Sequence, residues 1–457
     1  MNPTPLHAIW DSGREPEHIV AFSENVRTFA DFTRDVAALS QNLRLRPGTR
    51  FLLACDSSYA FAVGLFGLWQ AGKRPILPAN TQPGTLTQLA ATSDGLVSDG
   101  AGGIPVFGHG PASASPTSLP ADTGLELWTS GTTGAPKSIA KSLHQLDAEV
   151  AALEQGFGAA LGPVTVLAGV PHHHIYGLLF RLLWPLAAGR PFLDATSLHP
   201  EELALHGARH APVVLVSSPA QLKRLPGAMD LAGLRGRLRA VFSSGGPLPA
   251  STAAAWAEAL GAAPIEVFGS TETGGVAWRR QDDANRTGRW RLLPGVRAET
   301  DATGALVVHS PFLPDDQPFS MGDAVTFDTE GRFSLLGRLD RIVKVEEKRL
   351  SLHELEQRLC TLPEVRDAGA TVLHGRRSEV AVAVVLTAGA AAELALGGKA
   401  MLNARLRAGL APYFDAVLLP RRFRYVEALP YSERGKLSQA ALAALFATAA
   451  VSEEHPA

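Results

Sequence analysis

Through most of the first three hundred residues, runs with the pattern of a β-strand alternate with helical segments, and that alternation restricts the fold more than any other feature of the chain. Strands joined through intervening helices run parallel, so the pattern predicts an α/β architecture in which mostly parallel sheets are flanked by helices. Pro212 to Val216 is one such run, followed by a polar turn at Ser217 and Ser218 and a helix opened by Pro219. Leu238 to Phe242 is the next, leading through Ser243-Ser244-Gly245-Gly246 into a helix over Thr252 to Leu260. A third, Pro264 to Phe268, ends in Gly269-Ser270-Thr271-Glu272. Parallel sheets bind ligands in the loops beyond the carboxyl ends of their strands, and the polar, glycine-bearing turns of this region fall there.

Leu127 to Lys137 reads LWTSGTTGAPK, in which Thr129, Ser130, Gly131, Thr132, Thr133 and Gly134 are followed by a single lysine, Lys137. Glycine reaches dihedrals closed to other residues and puts no side chain in the way, so such a loop can turn several backbone N–H groups toward one anion. A Walker loop needs glycine just before its lysine; Pro136 stands here and has no N–H to donate. The segment therefore reads as a phosphate cradle of another kind, preceded by a Gly-, Pro- and Ser-rich connection over residues 101 to 124.

A chain of 457 residues exceeds one ordinary core. After about residue 337 the pattern changes to a short charged segment, a helix over Ser351 to Cys360, strands around Ala368 to Leu373 and Val380 to Leu386, and a helix near Lys399 to Leu410. A large N-terminal domain over 1 to 337 and a small C-terminal α+β domain over 338 to 457 are expected, meeting near Asp340. Lys+Arg of 42 against Asp+Glu of 44, with no basic tract, excludes the usual electrostatic footprint of a nucleic-acid binder. The first residues lack the basic start and apolar core of a signal peptide, and no run approaches a membrane span: Tyr59 to Trp69 is too short, and Arg181 interrupts Ile175 to Ala188. Cys55 and Cys360 are too few and too distant for a disulfide scaffold, which points to a reducing, cytoplasmic setting.

The order of the phosphate loop, hydroxyl-rich, then glycine-rich, then proline and lysine, resembles the signature of the adenylate-forming superfamily, which includes acyl-CoA synthetases, nonribosomal peptide synthetase adenylation domains and luciferases. Further segments in that family's order extend the resemblance over most of the chain. Phe268-Gly269-Ser270-Thr271-Glu272 resembles its aromatic-Gly-x-Thr-Glu motif, which implies that Thr271 contacts the nucleotide phosphates, Glu272 holds magnesium, and Phe268 and Gly269 lie near adenine. Ser244-Gly245-Gly246-Pro247-Leu248 resembles its Gly-Gly loop along the adenine and the acyl group. Gly322-Asp323 resembles its ribose motif, in which Asp323 would accept from both ribose hydroxyls, and Arg338 in Gly337-Arg338-Leu339-Asp340 would reach the same sugar. Leu429 to Leu437 resembles its terminal loop, where Lys436 would bridge the attacking carboxylate and the α-phosphate. Pro171-His172-His173-His174-Ile175-Tyr176-Gly177 resembles its acyl-pocket motif, with His174 gating the thiol channel and His173, Tyr176 and Val276 near the acyl group. Singly, several of these segments are also what a solvated turn looks like; their order along the chain carries the resemblance.

Three adjacent histidines invite a metal, but consecutive strand residues point to opposite faces, and no carboxylate or cysteine stands nearby to complete a shell. Val164 to Gly189 contains no acidic residue, so a substrate ammonium would be buried unpaired there, which disfavours amino acids. Within Lys344 to Arg349, Glu347 stands where the family usually has glycine beside the pantetheine channel. The resemblance implies an enzyme that uses ATP and Mg2+ to convert a carboxylic acid to acyl-AMP with release of pyrophosphate, then passes the acyl group to the thiol of CoA. The small domain would rotate about Asp340 between the two half-reactions. Aromatic and imidazole groups around the acyl site suit an aryl or aryl-alkenyl acid better than a long alkyl chain. Two alternatives stay open: transfer to the phosphopantetheine arm of an acyl carrier protein, and a catalytically silent nucleotide- or acyl-binding paralogue.

Overall fold

The computed structural model describes residues 3–120, 122–130, 136–195, 199–282, 288–345, 348–373, 379–431 and 437–447. Its largest sheet has nine strands. Six of them, Ile265–Ser270, Leu238–Ser243, Val213–Ser217, Thr165–Ala168, Phe192–Leu193 and Ile19–Phe22, lie side by side and parallel, while Gly274–Arg279 and Arg291–Leu292 close one edge and Val26–Thr28 the other in antiparallel fashion. Thr165–Ala168 and Val213–Ser217 are buried along their whole length. That is the behaviour of parallel strands covered on both faces, and it explains why their sequences run apolar without alternation.

A second sheet has the order Ile104–Pro105, Gly95–Ser98, Arg50–Ala54, Arg74–Leu77, Gly124–Ser130, Pro136–Ser142, and is parallel except for its last pair. The helix Ser58–Gln70, capped by the Ser57 hydroxyl, is buried at every position, so it is covered all round. The expected α/β class, with mostly parallel sheets and helices on their faces, is the architecture observed.

Contacts divide the chain into two units, Met1–Ala298 with Val308–Phe319, and Glu299–Val307 with Ser320–Ala457. In the second unit the hairpin of Phe319–Phe327 and Phe333–Arg338 sets Asp323 opposite Arg338. A further hairpin, Ile342–Val345 and Lys348–Ser351, leads through the Ser351 cap into the helix Leu352–Cys360. Then come Val365–Leu373 and Glu379–Leu386, antiparallel, with Arg422–Tyr425 parallel to the latter. The period of two is explicit in Glu379–Leu386: Val380, Val382 and Val384 join the core of Leu355, Leu359, Leu402 and Leu406, while Ala381, Ala383 and Val385 pack with Leu429, Leu442 and Phe446 on the other face. This is the expected α+β composition. Ala388–Gly397 and Gln439–Ala447 are additional helices there that the sequence reading did not delimit.

Candidate active site

The strands Gly124–Ser130 and Pro136–Ser142 pair up to Thr129 opposite Lys137 and Ser130 opposite Pro136. Gly131, Thr132, Thr133 and Gly134 lie outside the described residues. Side chains at positions 137, 139 and 141 share a face of their strand. Lys137, the exposed one of the two lysines, sets its Nζ 3.2 Å from Glu272 Oε1. Lys141 is buried, and its Nζ donates to the backbone carbonyls of Glu272 at 2.7 Å and Phe312 at 2.8 Å.

Glu272 sits on the turn between Ile265–Ser270 and Gly274–Arg279. The turn is tied internally: the Thr273 hydroxyl accepts from the Ser270 N–H at 3.1 Å and donates to the Gly274 carbonyl at 2.9 Å. A Cβ on Gly269 would lie 2.1 Å from Gly274 O, and Gly274 has φ +70, so both positions require glycine. Burial works against the charge of Glu272, but its own backbone N–H, Lys137 and Ser270 outweigh it and hold the carboxyl below its ordinary range. The group is an anion beside a cation. Among the described residues no three His, Cys, Asp or Glu side chains converge as a metal shell. A single carboxylate nevertheless matches magnesium, which binds through one or two carboxylates, substrate phosphates and retained waters.

Phe268 is half-buried and packs on Trp290 at 5.5 Å between ring centroids, with the planes 53° apart. Arg279 lies 4.6 Å over the other ring of that pair, Trp290, and is itself held by two bonds to Glu266, at 2.9 and 3.0 Å. Gly245 is exposed with φ +91, and a Cβ there would meet nothing within 4 Å; beside it the exposed Gly246 completes an open turn that Ser244 anchors to Val267 O at 2.8 Å. A flat group can approach that backbone closely.

The histidine segment departs from the strand on which the metal argument rested. Pro171 to His174 is a turn that caps a helical run from Ile175 to Ala188, whose middle section, Leu178–Leu183, is wider than an α-helix and which Gly189 closes at φ +68. The turn is tight because Gly177 comes so close to Pro171 O that a Cβ would stand 1.9 Å from it. His172 is buried: its Nδ1 is 3.0 Å from the Ser58 hydroxyl and its Nε2 2.8 Å from Cys55 O. Burial, with Arg181 and His173 adding to it, pushes its pKa well below the ordinary value, so the neutral ring donates from Nε2 and accepts at Nδ1. His173 and His174 are half-buried with rings 4.5 Å apart. Tyr176 contacts Phe180 at 4.8 Å, and burial raises its phenol far above the usual range. Val276 is fully buried in Gly274–Arg279. Arg181, also fully buried, donates to Val170 O, Asp194 O and Ala195 O and so holds the segment from below. The sequence reading named His172 and Arg181 but gave neither a role in holding this segment.

In the second unit Asp323 is buried, with Arg338 Nη1 3.5 Å from its Oδ2 and 3.1 Å from Met321 O. Gly322, at φ +70, leaves room for the guanidinium. Arg341 makes two bonds to Glu356, at 3.0 and 2.7 Å, just beyond Asp340. Lys436 and Glu347 lie outside the described residues.

Residues 94–309 match the model of a family described as AMP-binding enzyme. The 4-coumarate–CoA ligase of Cereibacter sphaeroides is 34% identical over 322 residues, 68% of this chain and 69% of that protein. The L-proline–[L-prolyl-carrier protein] ligase of Streptomyces coelicolor is 26% identical over 402 residues, 78% of this chain and 73% of its own. Among solved structures, ATP-bound MatB from Rhodopseudomonas palustris superposes with a TM-score of 0.82 at 22% identity, covering 96% of this chain and 98% of that one. The chain belongs to the AMP-binding enzymes of the adenylate-forming superfamily. It is an ATP-using, AMP-forming acid–thiol ligase.

Proposed function

We propose that the chain activates an aryl or aryl-alkenyl carboxylic acid and transfers it to CoA. The observation that carries this reading is the meeting of Lys137 and Glu272, the latter four residues beyond Phe268, which packs on Trp290. In this reading a phosphate and its metal would part that cation and that anion, and the Phe268 ring would serve a flat base. Support for an aryl acid comes from the acid-free stretch Val164 to Gly189, from Tyr176 and Phe180 within it, and from the relative named as a 4-coumarate–CoA ligase.

In this reading the residues over 129–134 and Lys137 hold the phosphates, Thr271 contacts them, and Glu272 holds Mg2+, which neutralises charge on the phosphate oxygens when bound. Phe268, Gly269, Gly245 and Gly246 flank the adenine, and Asp323 and Arg338 take the ribose. Lys436 brings the substrate carboxylate to the α-phosphorus: a carboxylate oxygen attacks, pyrophosphate leaves, and two anions meet only because a cation lies between them. The hinge lies at Asp340, with 1–337 and 338–457 as the moving parts. A thiol then attacks the acyl carbon past His174, with His173, Tyr176 and Val276 around the acyl group, and AMP departs. Cys55 and Cys360 form no disulfide, which suits a cytoplasmic protein, and no helix among the described residues is long and apolar enough to cross a membrane.

A second reading, with a carrier-protein pantetheine as acceptor, is favoured by Glu347, whose charge would repel the phosphates of CoA, and by the relative named for a carrier protein. Mass spectrometry of reactions containing an aryl acid, Mg-ATP and either CoA or a holo carrier protein tests both. A CoA thioester is expected; a product only on the carrier would replace the first reading with the second.

A further inference from the structure

Lys137 and Lys141 stand on one face of the same strand, roughly 13 Å apart along it, yet both side chains end on residue 272. The exposed lysine takes the carboxylate, and the buried one takes the backbone carbonyl. Immediately after the strand, Ser142 forms a capping box with Gln145 and opens the helix Leu143–Leu153. Gln145 and Glu149 are one turn apart on that helix and face the same way. The Gln145 amide donates to Phe312 O at 2.9 Å, the carbonyl that Lys141 also holds. Glu149, buried, accepts from the Gly275 N–H at 2.6 Å, and its carboxylate fills the space beside Gly274, where a Cβ would lie 2.3 Å from Oε2. The turn that presents Glu272 is thus gripped on its carbonyl by Lys141 and just beyond its end by Glu149. Neither grip uses the Glu272 side chain.

We propose that Lys141 and Glu149 are positioning residues that hold the Glu272 turn in the shape that receives magnesium, and so determine how much the metal strengthens nucleotide binding. The inference rests on Glu272 being the magnesium ligand. Its logic is a division of labour between two lysines: Lys137 can release the carboxylate to a metal and turn to phosphate, while Lys141 keeps the backbone in place as that exchange occurs. Buried hydrogen bonds are suited to this, because a low-dielectric surrounding strengthens them and their loss leaves a buried partner unsatisfied.

The test is calorimetric titration of ATP into the protein, once in EDTA and once in excess magnesium, which needs no turnover. Groups that orient a metal ligand typically change metal affinity by one to two orders of magnitude, so Lys141→Met and Glu149→Leu should each lose on the order of tenfold of the magnesium enhancement, with metal-free affinity within about twofold of wild type. Glu149→Gln keeps an acceptor for Gly275 and should retain the enhancement. An unchanged enhancement in Lys141→Met, or in Glu149→Leu should the first variant not fold, overturns the proposal. Equal losses with and without metal also overturn it, since they describe general damage to the fold. Glu272→Gln separates the two levels: an enhancement that survives that substitution removes the ligand assignment itself, whereas one lost there but intact in Lys141→Met removes only the positioning role.

Discussion

Lys137 Nζ stands 3.2 Å from Glu272 Oε1, and the proposed function gives the two groups different destinations, the phosphates for the lysine and Mg2+ for the glutamate. The lysine side chain is 61% exposed and the glutamate 29%, so the pair is solvent-screened and contributes little to folding, at most about 1 kcal/mol. Lys137→Met should therefore melt within a few degrees of wild type while the KM for ATP rises on the order of tenfold, as expected for a charge-assisted contact to phosphate worth about 1.5 kcal/mol or more. Thermal melts and steady-state kinetics on the same preparation check this. A large drop in melting temperature with an unchanged KM would make the pair a structural one.

The ribose assignment concerns a buried carboxylate. Two hydrogen bonds from sugar hydroxyls to Asp323 would each contribute about 1.5–3 kcal/mol. Asp323→Ala should raise the KM for ATP at least tenfold and leave the KM for the carboxylic acid unaltered. Comparable increases for both substrates would point to a disturbed hairpin instead of a lost ribose contact.

His172 makes stability depend on pH. Burial first, then Arg181 and His173, keep its folded-state pKa well below the ordinary value, whereas the unfolded chain takes up this proton near pH 6.5. The unfolded state binds more protons below that pH, so the contribution is complete above it and declines as the pH falls. Urea midpoints of wild type should drop between pH 7.5 and 5, and His172→Asn should show a shallower decline with lower stability at the upper end. Parallel profiles for the two proteins would contradict the assignment of a neutral, doubly bonded ring.

Lys436 rests on its sequence motif alone. Lys436→Ala should slow adenylation on the order of 10²-fold or more, as removal of an oriented transition-state charge commonly does, with ATP binding by calorimetry unchanged. An exchange rate within a few-fold of wild type would remove it from the reaction.

The parallel strands were legible as short apolar runs closed by polar turns, as in Val213–Ser217, where burial on both faces leaves that signature. Glu272, Asp323 and Arg338 were picked out because glycines and hydroxyls mark their segments, and the structure sets Glu272 beside Lys137 and Asp323 beside Arg338. The histidine turn was misread as strand because three identical residues carry no periodicity; the close approach of Gly177 to Pro171 was the available sign of a turn. Lys141 was invisible for a different reason. Lys141 lies in a strand that also carries Lys137, Ser138 and Ser142, so nothing in its segment sets it apart, and its partners are backbone carbonyls 131 and 171 residues away that no local pattern encodes. Glu149 likewise meets a backbone N–H 126 residues distant.

ATP–pyrophosphate exchange across a panel of acids, with magnesium present and no thiol added, tests the central claim most directly. It reads adenylation alone and reports the acyl pocket without assuming the acceptor. Exchange supported by aryl and aryl-alkenyl acids, weaker with long-chain alkyl acids and absent with proteinogenic amino acids, is the result the site predicts. Robust exchange with an amino acid and none with any aryl or fatty acid would contradict it.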